Sequence, residues 1–511
     1  MFLLNFFVSA LSSHPLYRFY EIIPAALVWT TFLFAIVFSF FRPLLVIIFI
    51  ILFSLFWLLR VIYFVFYLSV SWRKYKMEMT RDWQQECAEM PQVKKILHLV
   101  VLPTYGEPFE VLDHTFQSLV ASAYPKGRLF VVLAGESRDA RNFHHIAQRL
   151  KQRYGKAFFR LLVTLHPENL PGEIRAKGAN AAWAGQEAKK IIDELGLSYD
   201  DVIVSYFDCD TCVHPLYFHV LSATYLTEKN PTRASYQPIT LYNNNIWDSP
   251  AVMRVSAFST TFWLMTELAR PDRLFTFSSH AMSFRALVDV GFWQRDIVTD
   301  DSRIFLQCFL RYDGDYRVVP LYVPVSMDTA HANSWRKSLL NLYRQQRRWG
   351  WGIEHLPYML WHFPKRRSIP WSMKLRYLWN LGEGMYFWAT APILLFVLGH
   401  LPIALAQSSG QVSVLAQNAP YVLQWLMGLS MIGVMLSAVL GTLMLPRAQS
   451  GSGQITSLSW TLMVLQWLLL PLTLILFGSI PATEAQTRLM FGRYMGFDVT
   501  QKARSVAGNS K

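Results

Sequence analysis

Acidic side chains directly follow three β-rich runs of the sequence. Glu107 lies in PTYGE, Glu136 in AGES, and Asp208 and Asp210 form the DxD of FDCD. Residues two apart in a strand point to the same side, so both carboxylates of the DxD can meet one divalent cation. Such oxygen ligands favour Mg²⁺ or Mn²⁺, which can neutralise a diphosphate. Taken alone, the DxD is equally consistent with a solvated loop, because Asp is mostly found at protein surfaces.

Two later motifs carry groups for proton transfer and anion binding. Asp300 and Asp301 follow Thr299 at the predicted start of a helix. A carboxylate there can act as a general base, but it can also simply cap the helix. Residues 345–349 read QQRRW. An Arg–Trp pair can stack on and hydrogen-bond a sugar or phosphate, whereas a basic cluster beside a membrane often binds lipid headgroups.

The composition predicts that these residues belong to a membrane protein. Of 511 residues, 53% are hydrophobic and only 16% charged. These values exclude a disordered chain and disfavour an ordinary cytosolic enzyme. The net charge of +14 indicates basic loops beside anionic lipid, or an acidic substrate. No basic run with interleaved aromatic residues predicts a nucleic-acid partner.

The apolar runs predict membrane helices on both sides of a polar region. Residues 1–71 are expected to form a transmembrane hairpin, and 377–481 to contain the later spans. The runs long enough for a span are 22–41, 44–70, 381–405, 421–445 and 457–480. A basic polar tail, 482–511, follows.

The polar region 72–330 predicts a soluble α/β domain with a mostly parallel sheet. The expected strands are 96–102, 129–133, 160–164 and 202–207, with helices at 108–121, 138–153 and 176–195. Ligands of such sheets bind at the carboxyl ends of the strands, where the acidic motifs lie. Residues 331–376, which include QQRRW, predict amphipathic helices on the membrane surface.

The charges around the spans predict a cytoplasmic soluble domain but conflict over the C-terminus. The flank Arg73, Lys74 and Lys76 is positive, as is the segment 365–367, which favours the inside. Three spans after the domain would put the C-terminus outside, yet the tail is basic. Either one run is not a full span, or there is a sixth crossing. The prediction is a multi-pass protein of the bacterial inner membrane.

In their order, the motifs resemble those of the membrane-embedded family 2 glycosyltransferases. That family includes the cellulose, chitin and hyaluronan synthases and ceramide glucosyltransferase. PTYGE is followed by RAKGAN at 175–180, then DCD, TDD and QQRRW. The family signature is an acidic nucleotide-binding residue, a DxD, a TED-type aspartate and a QxxRW. The resemblance covers roughly residues 95–355 and the flanking membrane helices.

The resemblance implies a Rossmann-like GT-A domain inserted between transmembrane helices, a UDP-sugar donor, Mg²⁺ or Mn²⁺, and inversion at the anomeric carbon. Asp301 would be the general base, and Asp208 and Asp210 would hold the metal. The residues implied at the nucleotide sugar are Thr104, Tyr105, Glu107, Glu136, Lys177 and Asp208. Those implied at the acceptor and pyrophosphate are Asp300, Gln345, Arg348 and Trp349.

Three functions remain open at this level. The first is a synthase that extends a polysaccharide and passes it through its own helices. The second is one-step glycosylation of a membrane lipid. The third, from another class, is a transporter or scaffold that only binds nucleotide. The full set of acidic motifs argues against this third function, because a binding module would not need Asp301. The expected partners are a nucleotide sugar, a polysaccharide or lipid acceptor, and membrane lipids; the oligomeric state is left open.

Overall fold

The computed structural model describes residues 13–332, 334–408, 413–445 and 457–496. Residues 446–456, between the last two predicted spans, and the part of the predicted tail from residue 497 onward lie outside the described residues.

One mixed sheet forms the centre of the soluble part. Its strand order is β3-β2-β1-β4-β7-β6-β8-β5. The strands are β1 Leu97–Pro103, β2 Leu129–Glu136, β3 Arg160–His166, β4 Val202–Tyr206, β5 Cys212–Val213, β6 Ala234–Leu241, β7 His280–Ser283 and β8 Arg317–Ser326.

The helices surround this sheet and extend from both ends of its sequence. The first are α1 Pro15–Phe41, α2 Pro43–Glu78, α3 Trp83–Ala88, α4 Phe109–Ala121, α5 Ala140–Tyr154, α6 Lys177–Glu194, α7 Tyr217–Thr227, α8 Ala251–Leu268 and α9 Phe284–Asp289. They are followed by α10 Asp300–Arg311, α11 Trp335–Gly350, α12 His355–His362, α13 Trp371–Phe396, α14 Leu401–Ser408, α15 Val414–Leu443, α16 Ser457–Leu465, α17 Leu470–Leu474 and α18 Ile480–Met490.

The four predicted strands are confirmed as the parallel half of the sheet. β1 pairs in parallel with β2 and β4, and β2 with β3. Every residue of β1, β2 and β4 is buried, as continuous apolar runs in a covered parallel sheet require. The predicted helices correspond to α4, α5 and α6.

The other half of the sheet was not predicted, yet it completes the edge that carries the acidic motifs. β7 runs antiparallel to both β4 and β6, and β6 runs parallel to β8. Because two reversals cancel, β6 and β8 point the same way as β4. The carboxyl ends of β1, β2, β4, β6 and β8 therefore lie along one edge of the sheet.

Among the described residues, four helices are long and apolar enough to cross a membrane: Pro15–Phe41, Pro43–Glu78, Val414–Leu443 and Trp460–Met490. The pair Trp371–Phe396 and Leu398–Ser408, bent by 48°, is a fifth if it forms one broken span. Pro15 and Pro43 stand in the first turns of α1 and α2, where a missing N–H costs no helix hydrogen bond. The apolar helices thus flank the α/β domain in sequence, as predicted.

The last apolar segment, residues 457–490, contacts α8 and α11, the first contact near the start of the segment and the second toward its end. Arg254 of α8 donates from Nε to Gln466 Oε1 at 2.7 Å. Further along, Arg347 of α11 lies 2.8 Å from Glu484 Oε1 in α18. α8 follows a strand of the sheet and α11 follows its last strand, so both contacts lie toward the soluble domain.

Candidate active site

Three charged side chains from distant parts of the chain meet at the carboxyl edge of the sheet. Nζ of Lys177 lies 2.6 Å from Asp208 Oδ1 and 3.1 Å from Asp301 Oδ1. Burial lowers the pKa of Lys177, but the carboxylates of Asp208 and Asp301 outweigh it and raise that pKa above its usual value. The two carboxylate side chains are 26% and 28% exposed, so they open on solvent while sharing one buried cation.

Asp300, the neighbour of Asp301, is buried instead. Its Oδ2 accepts a hydrogen bond from the hydroxyl of Tyr206, at the end of β4. Burial and the charge of Asp301 raise the pKa of Asp300 to about 7, although Lys177 and Tyr206 oppose the shift. Of the two adjacent carboxylates, only Asp301 is therefore placed where a hydroxyl group from solvent can reach it.

The segment before β7 forms one wall beside Asp208. The hydroxyl of Ser278 donates to Asp208 Oδ2. His280 is fully buried, with Nδ1 2.9 Å from the carbonyl oxygen of Phe277. Burial lowers the pKa of His280 to about 4, so the ring is neutral at physiological pH. This segment therefore fixes the carboxylate of Asp208.

Asp210, the second carboxylate of the DxD, is turned into the domain. Its side chain is fully buried, and Oδ2 accepts the backbone N–H of Asp328 at 2.7 Å. Its carbonyl oxygen accepts a hydrogen bond from Asn244 Nδ2 at 3.0 Å. Asp328 follows β8 and Asn244 follows β6, so Asp210 ties the loop between β4 and β5 to the ends of β6 and β8.

The acidic groups at this edge suit a metal site that is shared with a substrate. In the described part of the chain, no three His, Cys, Asp or Glu side chains are grouped closely enough to hold an ion. Mg²⁺ is usually bound by one or two carboxylates together with substrate phosphates. The DxD, with Asp208 open to the cleft, fits this kind of shared site and not an all-protein cage.

The residues predicted to contact the nucleotide base and ribose lie at the ends of β1 and β2. The guanidinium carbon of Arg138 lies 3.7 Å from the centre of the Tyr105 ring. Nε of Arg138 is 2.6 Å from Glu136 Oε2, so the arginine joins the two predicted residues. Arg138 was not predicted, and its only signal was its place just after β2 in the run GESRD.

The turn after β1 is held by backbone contacts to β2 and its following loop. The N–H of Thr104 donates to the carbonyl oxygen of Ala134 at 2.8 Å. Gly106 has φ +68°, a conformation that favours glycine, and its N–H donates to Asp139 Oδ2 at 2.9 Å. Glu107 follows on this turn and is half-buried. These contacts fix the conformation of the turn and so the position of Tyr105 within it.

The QQRRW motif lies on α11 and faces the same edge. Gln345 is buried, while Arg348 and Trp349 are half-buried. The ring centre of Trp349 lies 5.8 Å from that of Tyr242, the residue that directly follows β6. An aromatic pair at this distance contributes beyond simple burial and sets the rotation of α11 at the strand ends.

The residues directly after α11 hold both sides of the Asp300–Asp301 pair. Half-buried Glu354 accepts hydrogen bonds from the hydroxyl of Thr299 and from Trp351 Nε1, the latter at 2.9 Å. His355 Nε2 lies 2.7 Å from Ser302 Oγ. Thr299 makes no capping bond to α10 with its side chain, because its hydroxyl points to Glu354. These contacts were not predicted, since they join residues more than 50 positions apart.

Replacing Glu354 is therefore expected to slow catalysis without changing donor binding. In Glu354→Gln, one carboxylate oxygen becomes an amide N–H donor, so the Thr299 hydroxyl must turn to accept instead of donate, and both hydrogen bonds lose the strength that the carboxylate charge gives them. A small displacement of the adjacent aspartates should lower kcat by about 10- to 100-fold, with KM for the donor near wild type. Glu110→Gln, an exposed carboxylate on α4, is the matched control. Equal kcat values for the two variants would contradict the positioning role of Glu354.

The arrangement can accept a proton and bind an anion side by side. Asp301 is a partly exposed carboxylate, which suits a general base for an acceptor hydroxyl. Lys177, with any cation at Asp208, can meet negative charge that develops on a leaving diphosphate.

A sequence model described as "Glycosyl transferase family group 2" matches residues 203–483. The match begins within β4, so it includes the DxD, the Asp300–Asp301 pair and QQRRW, and it ends in α18. No curated protein matches the chain.

Two solved structures align with much of the chain. The mannosyltransferase PcManGT from Pyrobaculum calidifontis, in complex with GDP-Man and Mn²⁺, is 15% identical with a TM-score of 0.44. The alignment covers 77% of this chain and 98% of that one. The S. aureus TarS 1-349 fragment in complex with UDP-GlcNAc is 12% identical with a TM-score of 0.31, covering 67% of this chain and 90% of that one.

Proposed function

The chain belongs to glycosyl transferase family group 2, and on that premise we propose that it transfers a sugar from a UDP-sugar to an acceptor at the membrane. The family and the eight-stranded mixed sheet between apolar helices confirm the predicted GT-A fold class, and the chain is a glycosyltransferase. The observation that carries the proposal is the meeting of Lys177, Asp208 and Asp301 at the strand ends.

Asp301 is the proposed general base, and it takes the proton of the acceptor hydroxyl as that oxygen attacks the anomeric carbon. Inversion follows, because attack occurs opposite the departing UDP. Lys177 neutralises charge on the diphosphate, and Arg348 of QQRRW is the proposed second cation there. Tyr105, with Glu107 and Glu136 beside it, is the proposed contact of the nucleotide base and ribose.

Asp208 and Asp210 are proposed to hold Mg²⁺ or Mn²⁺ together with the donor's diphosphate. When bound, the ion neutralises charge on the leaving group. Asp208 is the exposed ligand of the pair, and Asp210 keeps its loop in place through Asp328.

The proposed acceptor is a growing polysaccharide, as in the synthases that the motif order resembles. Arg60 of α2 and Glu383 of α13 form an ion pair, and the Arg60 guanidinium lies 4.8 Å from the centre of the Phe387 ring. Charged residues among membrane helices often mark a substrate path, which supports passage of the product along these helices.

Purified protein incubated with a panel of radiolabelled nucleotide sugars tests this function. The expected result is label from a UDP-sugar in material that a gel resolves as polymer. Label found only in a lipid extract would replace the polysaccharide with a lipid acceptor, and no transfer from any donor would contradict the function itself.

The soluble domain, 72–330, and the interface helices, 331–376, are proposed to lie in the cytoplasm of a bacterium, where nucleotide sugars are made. In intact cells, an impermeant thiol reagent is expected not to label Arg141→Cys on α5, which is exposed in the folded domain. Val414→Cys, at the start of α15 and 78% exposed, is the control that should be labelled from outside. Labelling of Arg141→Cys without permeabilisation would mean an inverted topology.

The segment 457–490 is proposed to lie along the cytoplasmic side of the membrane and not to cross it. Its contacts with α8 and α11 support this, and it places the basic tail inside, as the positive charges favour.

A further inference from the structure

A cavity of about 760 Å³ lies between α1, α13 and α18, apart from the carboxylate centre. One part of its wall is apolar and comes from two membrane helices: Trp29, Phe32 and Ile36 of α1, Ile393 of α13, and Leu398 just after it. Trp29 and Ile36 are 41% and 39% exposed, so the cavity opens sideways to the surface that faces lipid.

The other part of the wall is polar and carries several charges. Glu484 of α18 accepts a hydrogen bond from the hydroxyl of Tyr343 at 2.6 Å. Arg347 and Arg488 lie 2.8 Å and 2.7 Å from the same carboxylate. Arg493 lines the cavity as well and is exposed. The lining thus contains two guanidinium groups, of Arg488 and Arg493, against the one carboxylate of Glu484, which Arg347 also contacts, so this part of the cavity has an excess of positive charge.

We propose that this cavity binds an anionic phospholipid of the bilayer. An acyl chain fits the apolar wall along α1, and the negatively charged headgroup fits the arginines. Guanidinium groups bind phosphate oxygens in a planar, bidentate way, so Arg488 and Arg493 are the proposed headgroup ligands. A free phosphate would leave the apolar wall unused, and a neutral lipid would leave the excess positive charge unmatched.

The site connects the bilayer to the catalytic helix. Tyr343 and Arg347 lie on α11, the helix that carries Gln345 and Arg348 of the QQRRW motif. Through Glu484, both contact α18, which forms the opposite wall. A bound phospholipid therefore holds α11 and α18 together from the membrane side. Binding of this phospholipid does not depend on which donor or acceptor the enzyme uses.

The experiment titrates the detergent-purified full chain with phosphatidylglycerol or phosphatidylcholine and counts retained lipids by native mass spectrometry. The test variant is Arg488→Gln/Arg493→Gln. The matched control is Arg336→Gln/Arg367→Gln, which removes the same charge from exposed positions outside the cavity. Ile36→Trp fills the apolar wall without changing charge, on a side chain that already faces lipid.

One phosphatidylglycerol is expected to be retained by the wild type and by the control. Its affinity should fall by at least about tenfold in the double arginine variant and in Ile36→Trp, since each removes one half of the site. Equal retention of the two lipids, or the same affinity in test and control variants, would overturn the proposal. Transfer of labelled sugar onto the retained lipid would also overturn it, because the occupant would then be the acceptor.

Discussion

Asp301→Asn is expected to lower turnover by about 10²–10⁴-fold, the usual contribution of general-base assistance. Asn keeps the size of the side chain and can still accept a hydrogen bond from Lys177, which lies 3.1 Å from the carboxylate. It cannot take a proton from an acceptor hydroxyl. Binding of UDP should stay near wild type, since the proposed nucleotide contacts are Tyr105, Asp208 and their neighbours.

The matched variant is Asp300→Asn, in the adjacent position. Asp300 is buried beneath Tyr206, so this change should affect turnover far less than Asp301→Asn. If the carboxylates only favoured the start of α10, Asn in either position would serve nearly as well, and both variants would remain active. Near-wild-type turnover in Asp301→Asn, with folding and UDP affinity verified, would therefore contradict Asp301 as the base. A larger loss in Asp300→Asn would move that role to Asp300.

Removal of divalent cations is expected to lower transfer by at least about 10²-fold, because the cation stabilises a leaving diphosphate by several kcal/mol. The assay compares enzyme in excess EDTA with the same sample after Mn²⁺ or Mg²⁺ is restored. Asp208→Asn should weaken the response to added metal, because Asp208 is the member of the DxD that opens on the cleft.

Full activity after metal removal, verified by elemental analysis, would contradict the metal requirement. Lys177 would then be the cation that meets the diphosphate.

The parallel half of the sheet was predictable because its strands are continuous apolar runs. β1 and β4 are buried on both faces, and that burial leaves a direct trace in the sequence. β6 and β8 contain polar residues and prolines, as in ASYQPITL and RVVPLYVPVS, so neither reads as a continuous apolar run. Their pairing depends on tertiary contacts that a local pattern does not encode.

The site was predictable as a set of residues but not as a geometry. The motif order identified Lys177, Asp208 and Asp301, yet nothing local predicts that Lys177 lies between two carboxylates, one of them 124 residues away. Tyr206 donates a hydrogen bond to Asp300, and Arg138 forms an ion pair with Glu136. Neither residue could be predicted, because single aromatic or basic residues at strand ends are too common. The packing of the segment 457–490 was equally hidden, because its polar contacts join it to α1, α8, α11 and α13, which are distant in sequence.

The most direct test of the central claim is an experimental structure of the protein with Mn²⁺ and an unreactive UDP-sugar analogue. The expected result is that the diphosphate lies beside Asp208 and Lys177, the nucleotide base against Tyr105, and the anomeric carbon near Asp301. A nucleotide bound elsewhere, with Lys177 still bridging Asp208 and Asp301 at an empty strand edge, would contradict the assignment of this site.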